Sequence, residues 1–180
     1  MNGELVLNIN GHYFPIFAAA FDLEGTVINL EEFHWAAHRK VAKRLGIDLP
    51  NNIDDIRKLL PHFVGGPDFL VMKEIRELAI TQGASREKIE AEWPIDKMVE
   101  SKKAIYQSGY EKAHIAPREG VTAIMNLIGS SLPYGICSVT QYLEMEAILE
   151  RSGLRPMLSG RPIFYYDGNI RPKPAPRTYI

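Results

Sequence analysis

The sequence predicts an α/β protein with a parallel sheet, split by a long helical block and preceded by a β-hairpin. Three observations carry this. An apolar strand, AAAFDL, ends on acidic residues at positions 22 and 24. Residues 30–114 then hold only helical periodicity, and after Pro117 helix and strand patterns alternate to the end. Alternation of this kind is the mark of strands joined by crossover helices.

The first element is the hairpin at 4–17. Leu5, Leu7 and Ile9 alternate with polar residues, Asn10-Gly11 supplies the turn, and Tyr13 to Phe17 forms the return strand. Pro15 cannot donate to a ladder, which places that strand at an edge. AAAFDL follows with small and apolar residues on both faces, as a central, doubly covered strand requires.

From Leu30 the period changes. Leu30, Phe33, Ala37, Val41 and Leu45 recur at three- and four-residue steps until Gly46 stops the helix. Asn52 caps a short helix through Leu60, and Pro67 opens another with Phe69, Met72, Ile75 and Ala79 on one side. Ser85 caps a further helix, broken near Pro94, and a long helix runs to about His114. Beyond Pro117 come a helix at 118–129, a strand at 133–139, a helix at 141–152 closed by Gly153, and the short strand IFYY. The chain thus reads as core at 1–29, helical insertion at 30–115, and core again at 116–180.

Composition narrows the function classes. With 46% hydrophobic residues in 180, there is enough apolar material for one core with an insertion. The net charge of -1, from 21 basic and 22 acidic residues, gives no field toward nucleic acid. No apolar run reaches the ~18 residues of a membrane span, and the first residues lack the basic-then-apolar order expected of a signal peptide. The single cysteine, Cys137, excludes an internal disulfide and fits a reducing compartment. The expected location is the cytoplasm.

In an open α/β sheet, ligands sit beyond the carboxyl ends of the strands. Three groups fall there: the pair Asp22 and Glu24, the hydroxyl of Ser138 in ICSVT, and Lys173 in RPKPAP. Each has a plain structural reading when taken singly. Asp-x-Glu before Gly-Thr suits a solvated turn, Ser138 suits a helix cap, and Lys173 suits an exposed loop. Cys137 suits a buried strand position, Trp35 suits packing, and the GGPD turn at 65–68 suits a link between helices.

Taken in order, Asp22-Leu23-Glu24-Gly25-Thr26, Ser138 and Lys173-Pro174-Ala175-Pro176 resemble the haloacid dehalogenase-like superfamily of phosphohydrolases. That resemblance covers roughly residues 18 to 180. It implies a Rossmann-like parallel core, incomplete here, with an inserted helical cap. The cap position and His34 in FHWAA are similar to the beta-phosphoglucomutase and phosphoglycolate phosphatase branch, where a His often stands at the cap hinge.

The resemblance implies roles as well. Asp22 would attack phosphorus, and Glu24 would protonate the leaving oxygen and activate water. Ser138, with the backbone amides near Leu23 and Val139, would hold the phosphate, and Lys173 would balance its charge. Mg2+ would be held by Asp22 and the main-chain carbonyl of Glu24. Thr26 and His34 are candidates for contact with the substrate, a small phosphorylated metabolite.

Two features depart from the family pattern. Glu24 stands where Asp is usual, adding one methylene, although the enolase-phosphatase branch also carries Asp-x-Glu-Gly-Thr. The sequence also stops at Ile180, before the acidic fourth motif and its strand. The expectation is a shortened chain, or one completed by a second copy through the open sheet edge. Alternatives to a phosphatase are a sugar-phosphate mutase, a dehalogenase, which would lack the acid that Glu24 retains, and a non-catalytic interaction protein on this fold.

Overall fold

A computed structural model describes residues 6–166. The chain divides into two compact units: one combines the segment up to Asn29 with the segment from His114 onward, and the other is Leu30–Ala113.

In the first unit, β1 (Val6–Ile9) and β2 (His12–Pro15) pair antiparallel, Val6 opposite Pro15 and Ile9 opposite His12. Asn10 (φ 52°) and Gly11 (φ 83°) form the turn. Both central residues have positive φ, as the twist of a tight hairpin demands. The Asn8 side chain accepts from the Gly11 amide at 3.0 Å. Every strand residue of this hairpin is exposed.

The main sheet is parallel, in the order β3 (Ala19–Phe21), β4 (Tyr134–Gln141), β5 (Ile163–Tyr166). Phe21 lies opposite Ile136, and Ile136 opposite Ile163. The expectation of a central, doubly covered AAAFDL strand is not met: β3 is an end strand among the described residues, and Ala20 is exposed. Burial belongs instead to β4, whose first five residues are all buried and which has a neighbour on each side. Gly135 is needed there, because a Cβ would collide with the Pro162 carbonyl.

Helices α6 (Val121–Gly129) and α7 (Tyr142–Arg151) flank β4 in sequence and pack on it through Met125, Met145, Ile148 and Leu149, all fully buried. Each such side chain stabilises the unit by about 1.5–3 kcal/mol. A 3-10 turn, Arg155–Leu158, which the sequence pattern does not announce, precedes β5 and buries Leu158.

The second unit is helical throughout its described elements: α1 (Glu31–Arg44), α2 (Ile53–Leu59), α3 (Asp68–Thr81), α4 (Arg86–Glu92) and α5 (Ile95–Lys112). Its starts follow local chemistry. Asn52 accepts from the Asp54 amide at 2.8 Å, and Ser85 from the Lys88 amide at 3.4 Å. Gly46, at φ 81°, follows the end of α1.

Val41, Ile56, Leu60, Met72, Ile75 and Met98 form the centre of this unit, with Trp35 packed against it. The Arg39 guanidinium donates to the carbonyls of Leu49 and Asn51 at 3.2 and 3.1 Å, tying the following loop to α1. The buried face of α3 differs from the expected one at its start: Phe69 is 55% exposed, and Val71 joins Met72, Ile75 and Ala79 inside. Positions 71, 72, 75 and 79 satisfy the helical period without it.

Candidate active site

The site begins where β3 ends. Leu23 turns inward and is fully buried, and its carbonyl accepts from the amides of both Val27 and Ile28 at 2.9 Å. Gly25, at φ 77°, closes the turn and donates to the Ile28 carbonyl at 2.7 Å. Its positive φ explains a glycine directly after Glu24. Further along, the Arg118 amide donates to the Val27 carbonyl at 2.9 Å, anchoring the turn to the returning chain.

This turn leaves Asp22 and Glu24 both partly exposed. The Thr26 hydroxyl donates to Asp22 Oδ2 at 3.5 Å, a long and weak contact. Glu24 Oε1 accepts from the hydroxyl of Thr140 on β4. Thr140 in turn accepts from the Ser138 hydroxyl at 2.9 Å, and its own amide donates to Ser138 Oγ at 3.2 Å.

Because β3 and β4 run parallel, with Phe21 opposite Ile136, their carboxyl ends meet at one edge of the sheet. That edge gathers Asp22, Glu24, Ser138 and Thr140. Ser138 is 2% exposed and Thr140 7%. Ser138 does not cap the next helix: β4 continues to Gln141, and it is Gln141 that precedes α7. The β4–β5 register shifts between Cys137 and Gln141, so the hydroxyl-bearing residues lie in an irregular stretch. Such irregularity re-aims side chains. Cys137 is buried and Val139 is 45% exposed. Lys173 and its flanking prolines lie outside the described residues.

Sequence reading passed over Thr140. Its signal was present in ICSVT, because residues 138 and 140 share one face of a strand.

The helical unit holds a second polar cluster. His34, half-buried on α1, stacks on Tyr106 with centroids 3.9 Å apart, and its Nδ1 is 2.7 Å from Lys102 Nζ. Lys102, only 2% exposed, donates to Asp68 Oδ1 at 2.8 Å and Oδ2 at 3.0 Å. His38 Nε2 lies 3.3 Å from Asp68 Oδ1.

Burial opposes ionisation of Asp68, yet the His38 hydrogen bond and the Lys102 ammonium outweigh it and hold its carboxyl well below the usual range. For His38, burial is the leading effect and lowers its pKa despite the Asp68 bond. A neutral His38 therefore donates from Nε2, and its buried Nδ1 has no hydrogen-bond partner. The stripe Met98, Lys102, Tyr106, Tyr110 is buried along α5. A lysine within an otherwise apolar four-residue repeat was the signal that could have located this cluster.

Among the described residues, the side chains that gather at the sheet edge, Asp22, Glu24, Ser138 and Thr140, offer oxygen donors, which suit a hard cation. No group of three His, Cys, Asp or Glu side chains arranged for a metal occurs among the described residues. No described helix is long and apolar enough to cross a membrane.

No protein-family model matches the sequence, and no curated protein matches it. Solved structures do. The fold is similar to CbbY from Rhodobacter sphaeroides in complex with xylulose-(1,5)bisphosphate, at TM-score 0.62 and 21% identity, over 91% of this chain and 69% of that one. A family IA, variant 3 hydrolase from Entamoeba histolytica gives TM-score 0.64 and 22% identity over 91% and 67%. A Thermotoga maritima protein carrying the name beta-phosphoglucomutase gives 0.56 and 22% over 91% and 68%. With its three-stranded parallel sheet and separate helical unit, the chain has the fold of the haloacid dehalogenase-like hydrolases.

Proposed function

We propose that this chain is a Mg2+-dependent phosphohydrolase for a small phosphorylated metabolite, working through an aspartyl-phosphate. The observation that carries the reading is the Asp22–Glu24 pair at the carboxyl edge of the sheet, with Glu24 tied through Thr140 to Ser138.

The steps balance. A carboxylate oxygen of Asp22 attacks phosphorus, and the bond from phosphorus to the alcohol oxygen breaks. Glu24 gives its proton to that leaving oxygen. Water then attacks the phosphorus, Glu24 takes up the water proton, and the bond to Asp22 breaks to release phosphate. Ser138 and the amides of Leu23 and Val139 hold the phosphate oxygens, and Lys173 offsets their charge. Mg2+ would be held by Asp22 and the Glu24 main-chain carbonyl, where it supplies charge neutralisation for the transferring phosphoryl group. With two protein donors, the rest of its shell would fall to water and substrate, as is common for this ion.

The test is hydrolysis of p-nitrophenyl phosphate. Asp22→Asn should lower kcat/KM at least about 10³-fold, and chelation by EDTA should remove turnover until Mg2+ is restored. Unchanged turnover in Asp22→Asn would sink the proposal and favour a non-catalytic role for the fold.

The likeness to a protein named beta-phosphoglucomutase favours a second reading, a sugar-phosphate mutase, with the same first half-reaction. Product assay separates the two: a phosphatase releases inorganic phosphate, whereas a mutase returns an isomeric sugar phosphate.

A further inference from the structure

We propose that Thr140 is a positioning residue for Glu24, holding the long glutamate arm in the geometry that delivers its proton. This rests on the phosphatase reading of Glu24. The two residues stand 116 positions apart, yet Thr140 Oγ1 donates to Glu24 Oε1 across the sheet edge.

Why Glu24 needs such a partner follows from its length. Relative to the aspartate usual at this position, it has one more rotatable sp³–sp³ bond, with three staggered wells. A catalytic group must be held within about 0.5 Å of its productive position. An unrestrained extra methylene moves the carboxyl by more than that when it changes well.

Thr140 is built to restrain it. A hydroxyl has one proton to donate and lone pairs to accept with. The Thr140 proton goes to Glu24, while its oxygen accepts from Ser138 Oγ at 2.9 Å. Its amide is fixed in turn on Ser138 Oγ at 3.2 Å. Threonine is also β-branched and stiff at χ1, so the oxygen does not wander. The β4–β5 register is irregular between Cys137 and Gln141, the stretch that holds Thr140. Ser138 Oγ holds the Thr140 amide whichever way its own proton turns, so the restraint on Glu24 persists when that proton is given to phosphate.

The experiment compares two esters with Mg2+ present. Glycerol phosphate has an alkoxide leaving group that needs a proton, whereas p-nitrophenolate departs without one. Misplacing the acid should therefore be felt on the first ester only. Thr140→Val is expected to lower kcat/KM for glycerol phosphate by about 10- to 100-fold and for p-nitrophenyl phosphate by less than about 3-fold. Thr140→Ser, which retains the hydroxyl, should stay within about 3-fold on both. Thr140→Ala is read in the same way should the valine variant fail to fold.

In a Glu24→Asp background the shorter arm has less to restrain, so the Thr140→Val penalty on glycerol phosphate should shrink to below about 3-fold. Equal losses on both esters, or an undiminished penalty in the Glu24→Asp background, would overturn the proposal while leaving the phosphatase reading in place. So would a wild-type protein that cleaves the aryl ester but not the alkyl one. A wild-type protein that cleaves neither removes the phosphatase reading, and the role of Thr140 goes with it.

Discussion

The two polar clusters of this protein are held in opposite ways. At the sheet edge, Asp22 and Glu24 sit partly exposed on a turn, and the Thr26 hydroxyl reaches Asp22 at 3.5 Å. In the helical unit, Lys102 is 2% exposed and is clamped by both oxygens of Asp68 and by His34. Carboxylates proposed to meet a substrate are here left open to one. Charges whose partners are already present can be closed away from water, where losing one partner is expensive. Removing a residue from the first cluster should therefore cost rate, and removing one from the second should cost stability.

The largest expected effect at the sheet edge, after loss of Asp22, the proposed nucleophile, is that of Glu24→Gln. It should reduce kcat on an alkyl phosphate about 10²- to 10⁴-fold. The melting temperature should stay within a few degrees of wild type, because the side chain is not fully buried. A variant that lost stability in proportion to its rate would erase the distinction between the clusters.

Next comes Lys102→Met, which leaves Asp68 charged and partly buried beside His38. Urea denaturation should register a loss of about 3 kcal/mol, the lower end for a broken buried pair because Asp68 retains 24% side-chain exposure. Lys102→Met with Asp68→Leu should recover part of that loss. A single variant as stable as wild type would show that the cluster is not structural.

Acid should separate the clusters further. Both His38 and Asp68 have folded pKa values below their unfolded ones. For such groups the stabilisation is full above the unfolded value and is lost as pH falls. Stability should decline from about pH 6.5 as unfolded histidine begins to bind a proton, and again below about pH 4, where unfolded Asp does. Asp68→Asn should remove the second decline, measured as the change in urea midpoint between about pH 4 and 3. A profile with the same acid step would assign that step to other carboxylates.

The smallest effect belongs to Thr26→Val. A contact of 3.5 Å is at the edge of hydrogen bonding, and its loss should change kcat/KM by less than about 3-fold. A larger fall would mean that Asp22 is held more firmly than this contact suggests.

Much of the local structure, including the turn that carries the candidate site, was legible because its signals are local. The turn after Phe21 needs Gly25 at positive φ, and Asn52 and Ser85 cap the helices that follow them. The hairpin was equally plain, since Asn10 and Gly11 adopt the conformations that their residue types favour. Failures had physical causes too. β3 read as doubly covered because Ala18, Ala19 and Ala20 are small and apolar, but cover depends on neighbours that its own residues do not encode. Ser138 read as a cap because β4 was expected to end at 139, whereas sheet pairing carries it two residues further, to Gln141.

What the sequence determined by itself was order and kind: an acidic strand end, a helical insertion, and strands alternating with helices. These depend on residues within a few positions of one another, where periodicity and turn chemistry act. Only the tertiary structure decided which side chains meet. Thr140 reaches Glu24 across 116 positions, and Lys102 reaches Asp68 across 34. Contacts at such separations leave no periodic trace in the chain, because they are set by parallel strand register in one unit and by helix packing in the other.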